Sequence, residues 1–87
     1  MSTASHFVYI LRSSADPRER YIGRTGDVGA RLKWHNFGPD GYTRRHRPWS
    51  LLVAIELADE KAARRFERYL KSGSGRAFAK RHFDARE

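Results

Sequence analysis

The run Phe7-Val8-Tyr9-Ile10-Leu11 is the strongest constraint on what this chain can fold into. No polar residue interrupts it, β-branched and aromatic side chains dominate it, and it is too short for a buried helix. It therefore marks a strand covered on both faces. Alternation along the strand sends Phe7, Tyr9 and Leu11 to one side and Val8 and Ile10 to the other. Other elements must lie on both sides of it. A chain of 87 residues is one domain, 1–87 with a core from about 7 to 83, because two halves would each be too small to bury a core. Without cysteine, neither a disulfide framework nor a thiolate zinc site can brace the fold. Aromatic residues, 13% of the chain, must supply much of the buried area.

Ser13-Ser14-Ala15-Asp16-Pro17 carries turn chemistry, and Pro17 cannot donate to a ladder. Arg20-Tyr21-Ile22-Gly23 is then the return strand of an antiparallel hairpin. Asp27 is the N-cap of a helix running to about Asn36, stopped by Phe37-Gly38-Pro39 with Gly38 in a left-handed position. Val28 and Leu32 form its buried stripe, and Arg31 and His35 share the border of that stripe, partly shielded and able to reach a ligand. Residues 38–48 form a loop that ends in the basic stretch Tyr42-Thr43-Arg44-Arg45-His46-Arg47. Ser50-Leu51-Leu52-Val53-Ala54-Ile55 is a second nearly unbroken apolar run and predicts a third strand, at the centre of the sheet. Asp59 caps a helix with Ala62, Ala63, Phe66, Tyr69 and Leu70 on one face, Arg64, Arg65, Arg68 and Lys71 on the other, and Glu67 beside the stripe. Ser72-Gly73-Ser74-Gly75 breaks that helix, and a short basic one resumes from Arg76 to about Phe83. The fold class is α+β, a small three-stranded antiparallel sheet flanked by helices.

Lys and Arg number 18 against 10 Asp and Glu, a net charge of +8 and a pI near 10.6. Such a surface attracts polyanions, and nucleic acid is the commonest partner. No apolar run approaches the roughly 18 residues of a membrane-spanning helix, and Met1 to His6 lacks the pattern of a secretory signal. Those features predict a soluble, cytoplasmic protein with no membrane partner.

Tyr9 and Tyr21 fall on neighbouring strands, Arg31 and His35 one turn apart on the first helix, and Glu67 on the long helix. Each has an ordinary structural explanation: core aromatics with a hydroxyl at the rim, a solvated helix face, a carboxylate in surface ion pairs worth about 0–1 kcal/mol. Their presence together on elements that must pack in one small domain points further, toward phosphodiester cleavage. One Glu can hold a hard divalent cation that keeps most of its waters. A guanidinium stabilises charge growing on phosphoryl oxygens, and a phenol or imidazole orients or deprotonates the attacking water. His6, His46 and His82 show no metal-ligand spacing.

The order Phe7-Val8-Tyr9, Tyr21-Ile22-Gly23, Arg31 and Glu67, with His46-Arg47-Pro48-Trp49 and Lys71-Ser72-Gly73-Ser74-Gly75-Arg76, resembles the GIY-YIG nuclease superfamily in its branch of small stand-alone domains. The resemblance runs from about Phe7 to Phe83. It implies a three-stranded antiparallel sheet flanked by helices and metal-dependent hydrolysis of DNA phosphodiesters. It makes Tyr9 the water-positioning or water-activating phenol, and Tyr21 a phenol that contacts the scissile phosphate or supports Tyr9. Arg31 becomes the transition-state cation, His35 a proton relay, and Glu67 the ligand of Mg²⁺ or another hard cation such as Mn²⁺. Arg24, Arg44, Arg45, Arg47, Arg76 and Lys80 are the candidate contacts to the DNA backbone.

Two departures stand out: the first motif reads Phe-Val-Tyr where the family has Gly-Ile-Tyr, and the family's C-terminal active-site asparagine has no clear counterpart. The expected function is a DNA endonuclease, structure-selective or weakly specific. Substrate choice then rests on the domain's own basic surface, a protein partner or dimerisation. The alternative is a module of the same fold that binds nucleic acid without cutting it; the missing asparagine favours that reading, and the intact Tyr9, Tyr21, Arg31 and Glu67 oppose it. A basic surface that meets an acidic protein is a third reading.

Overall fold

The computed structural model describes residues 4–39 and 41–84. Strand β1 (His6–Ser13) pairs antiparallel with β2 (Arg20–Thr25) on one edge and with β3 (Trp49–Leu57) on the other, in the order β2-β1-β3. The Phe7–Leu11 run is thus the centre of the sheet, and the expectation that the third strand would be central is corrected. Val8, Tyr9, Ile10 and Leu11 are each at most 2% exposed, whereas Leu51 in β3 is 42% exposed. An apolar run reports that both faces of a strand are packed; it says nothing about how many edges are paired. The β1–β3 register slips between Ile10 and Leu11, where Leu52 has no partner across the ladder, a bulge that twists the edge strand.

The two faces of β1 build separate clusters, as its alternation requires. Val8 and Ile10 pack with Ala63 and Leu70, joined by Phe66, Phe78, Ala79 and Phe83. Those partners come from α3 (Glu60–Leu70) and α4 (Gly73–Phe83). Tyr9 and Leu11 face the other way, against Trp49, Tyr21 and Leu32, the last on α1 (Val28–Phe37). Fully burying an aliphatic side chain of this kind contributes about 1.5–3 kcal/mol.

Asp27 caps α1 as expected, its carboxylate accepting from Ala30 N–H at 3.0 Å, and Asp59 caps α3 through Ala62 N–H at 2.8 Å. Gly38 is not left-handed: its φ is −83°. A Cβ there would meet the Trp34 carbonyl oxygen at 2.6 Å and its indole at 2.9 Å, so close approach, not backbone sign, calls for glycine. Within the expected 38–48 loop lies a short helix, α2 (Gly41–Arg45). One turn needs no apolar periodicity; it is held by the indole N–H of Trp49 donating to the Thr43 carbonyl at 2.7 Å and by Tyr42 Oη donating to Glu19 at 2.8 Å.

The break between α3 and α4 is also shorter than expected. Ser72 caps α4, which begins at Gly73. Gly75 sits against the end of α3, where a Cβ would fall 1.8 Å from the Tyr69 carbonyl oxygen. The Ser-Gly pairs that look like a breaker are the means by which one helix turns directly into the next.

Candidate active site

Opposite Tyr9 in the β1–β2 register stands Gly23, and Tyr21 lies two residues before it on the same face. A Cβ at Gly23 would meet Tyr9 Oη at 2.7 Å, Tyr9 Cζ at 2.9 Å and the Tyr21 ring at 3.0 Å. The missing side chain lets the Tyr9 ring lie over the β2 backbone, with its centroid 6.1 Å from that of Tyr21. Both phenols then line a cleft of about 310 Å³ together with Gly23, Arg24, Arg31 and Glu67.

His35 is not on a border. It is 0% exposed, its Nε2 is 2.8 Å from Tyr9 Oη, and its ring lies 4.5 Å from that of Tyr21. The expectation that it reaches a ligand directly is corrected: α1 carries few apolar residues, and the imidazole completes its inner face. It meets the cleft through the Tyr9 hydroxyl and through the Tyr21 ring packed against it.

Arg31 lies one turn before His35 and does line the cleft. Its guanidinium carbon is 5.3 Å from the ring centroid of Trp34, the next turn's aromatic, which is 38% exposed. The negative face of the indole holds the cation at the mouth and limits its sweep.

Glu67 enters from the opposite layer, on α3. Arg24 Nε donates to Oε1 at 2.7 Å and Lys71 Nζ to Oε2 at 2.9 Å. Burial pushes the Glu67 carboxyl up, but the hydrogen bonds from Lys71 and Arg24 outweigh it and hold the group below the usual carboxylate range. Among the described residues no three His, Asp or Glu side chains gather as a metal cage. The cleft offers one carboxylate, with Arg24 and Lys71 on its two oxygens; a lone carboxylate is a donor set that a hard cation keeping most of its waters can accept.

The expected DNA-contacting cations divide into three groups. Arg24 lines the cleft and grips Glu67. Arg47 is engaged internally, donating through Nε to the His35 carbonyl at 2.7 Å and through Nη2 to the Gly38 carbonyl, so that it closes the end of α1. Arg44 and Arg45 are placed on α2, and Arg76 and Lys80 are exposed on α4. The latter two line a second groove of about 880 Å³, beside Lys71, over Ile10 and Leu52. Three contributors escaped sequence reasoning. Lys71 follows Glu67 at the i,i+4 spacing of helical ion pairs, and Trp34 follows Arg31 at i,i+3, so both were visible in principle. The packing role of Gly23 required the strand register.

A family profile described as the GIY-YIG catalytic domain matches residues 5–81. A UPF0213 protein of Bacillus velezensis is 40% identical over 68 residues, covering 77% of this chain and 67% of the relative. The UPF0213 protein YazA of Bacillus subtilis is 33% identical over 72 residues, 82% of this chain and 71% of the relative. The structure-specific endonuclease subunit SLX1 of Candida dubliniensis is 38% identical over 84 residues, which covers 88% of this chain and 28% of that protein.

Proposed function

Because this chain belongs to the GIY-YIG nuclease family, we propose that it is a DNA endonuclease that hydrolyses phosphodiester bonds with the help of a hard divalent cation. The observation that carries the reading is the cleft itself. Four elements deliver Tyr9, Tyr21, Arg31 and Glu67 to one opening of about 310 Å³, and side chains of these types can serve water attack on phosphorus. A Mg²⁺-class ion at Glu67 would supply charge neutralisation at the scissile phosphate.

Every other contribution comes from the chain. Tyr9 Oη takes the proton of the attacking water as it passes its own to His35 Nε2 across the 2.8 Å contact, a relay that requires the tautomer in which Nε2 is the accepting nitrogen. Burial of His35 keeps that exchange away from bulk solvent. Arg31 meets the non-bridging oxygens as negative charge grows on them, and the phenol of Tyr21 donates to the same phosphate. The bond from phosphorus to the oxygen opposite the water then breaks, and the leaving alkoxide takes a proton from solvent. SLX1 of Candida dubliniensis is described as a structure-specific endonuclease subunit; for this chain the corresponding proposal is a preference for DNA shape over sequence, with exposed cations following the backbone.

The test is nicking of supercoiled and branched DNA in Mg²⁺ by the wild type, Glu67→Ala and Arg31→Ala. Each substitution is expected to lower the rate about 100-fold or more. Nicking that survives both removes the enzymatic reading. Salt-dependent DNA binding with no cleavage by the wild type establishes the non-cutting alternative instead.

A further inference from the structure

Glu67 is the acidic side chain of the cleft, yet both of its oxygens face cations of the protein itself. Arg24 holds Oε1 at 2.7 Å and Lys71 holds Oε2 at 2.9 Å. A divalent ion placed on this carboxylate would sit against a guanidinium and an ammonium at once. Like charges at such short range repel strongly where water is partly excluded, and the Glu67 side chain is 20% exposed. The two cations, however, are not locked in place. Their side chains are 36% and 54% exposed, both ride on long flexible stems, and Arg24 has a second acidic neighbour, Glu60, at 3.9 Å. Each also stands where a nucleic-acid strand would pass. Arg24 lines the cleft and Lys71 lines the basic groove that holds Arg76 and Lys80.

Resting on the reading of Glu67 as the metal-holding carboxylate, we propose that Arg24 and Lys71 form a phosphate-responsive guard over it. Phosphates of a bound strand draw both cations off the carboxylate, and the divalent ion takes it only then. The two residues thereby act twice, as counter-ions to Glu67 in the free protein and as phosphate contacts in the complex. DNA and metal consequently bind cooperatively, and linkage makes the effect reciprocal: DNA tightens the metal by the same factor as the metal tightens DNA. The free protein holds metal weakly and is charged for cleavage by its own substrate.

Mn²⁺ followed by electron paramagnetic resonance reads this directly, without cleavage. The DNA probe is a hairpin with a single-stranded tail, and an Arg31→Ala background keeps it whole. Glu67→Gln in the same background gives the baseline of ions bound elsewhere on protein and DNA. The guard predicts that DNA tightens the Glu67-dependent Mn²⁺ site about tenfold, within the usual range of such couplings. Lys71→Gln tightens that site in the absence of DNA and shrinks the DNA effect. Arg65→Gln removes the same charge from an exposed position on α3, and it leaves Mn²⁺ affinity unchanged.

Equal Mn²⁺ affinity with and without bound DNA overturns the guard and leaves the nuclease reading standing. So does an Arg65→Gln effect as large as that of Lys71→Gln, since net charge alone would then explain both. If the Glu67→Gln substitution changes Mn²⁺ binding in no state, with or without DNA, the assignment of Glu67 as metal ligand is overturned, and the guard with it. A hairpin that does not bind at all, read by fluorescence anisotropy, overturns the nucleic-acid reading together with the guard.

Discussion

Gly23 shows how much of a site can depend on an absent side chain. With the Tyr9 hydroxyl 2.7 Å and the Tyr21 ring 3.0 Å from where a Cβ would be, Gly23→Ala must push one phenol or both out of the cleft. Overpacking of this kind costs about 1–3 kcal/mol. The expected result is a folded, less stable protein with a lower melting temperature and cleavage reduced far more than DNA binding. Calorimetry alongside nicking and binding assays checks it, and unchanged cleavage would show that Tyr9 has no fixed role. In the sequence, Gly23 looks only like the end of a strand. For His35 the direction was legible and the depth was not: helical spacing gives the direction of a side chain, while its 0% exposure depends on what β1 and β2 bring against it.

At the scale of elements, α3 joins the sheet both by apolar packing and by the Arg24–Glu67 ion pair, with Lys71 at the end of α3 bracing the same carboxylate, and these contacts respond to acid. The folded Glu67 carboxyl lies below its ordinary value of 4.5. Its contribution to stability is therefore fully present above that value and is lost as pH falls through the folded one. The pairs are partly exposed, so each is worth only about 0–1 kcal/mol. In metal-free buffer, wild type and Glu67→Gln are expected to differ in denaturation midpoint at neutral pH and to converge in acid; a constant offset across the titration would contradict the ion-pair account. Element order and type were readable because β1 and α3 carry strong periodic signals. Strand order was not, because β3 is apolar on its faces and unpaired on its outer edge. The start of α4 was hidden for a related reason: Ser72 and Gly75 have turn-like composition, but one caps the helix and the other makes room for the Tyr69 carbonyl.

For the molecule as a whole, the charge of +8 points to a polyanion partner without saying which cations would meet it. Arg47 is engaged with two carbonyls, whereas Arg76 and Lys80 lie along a groove open to a ligand. The double variant Arg76→Gln with Lys80→Gln is expected to weaken DNA binding regardless of sequence and to flatten the dependence of log K on log salt by about 2. Binding titrations over a salt series check it. No helix among the described residues is long and apolar enough to cross a membrane. The cleft, finally, wraps the outer edge of β2: its phenols and Arg31 belong to the α1 layer and Glu67 to the α3 layer, and the sheet alone keeps them in register. If β2 peels away, the two groups of reactive side chains separate while the positive surface persists. Along a urea titration, nicking should vanish before DNA retention does. If it does, a molecule whose sheet edge has opened still holds DNA and no longer cuts it.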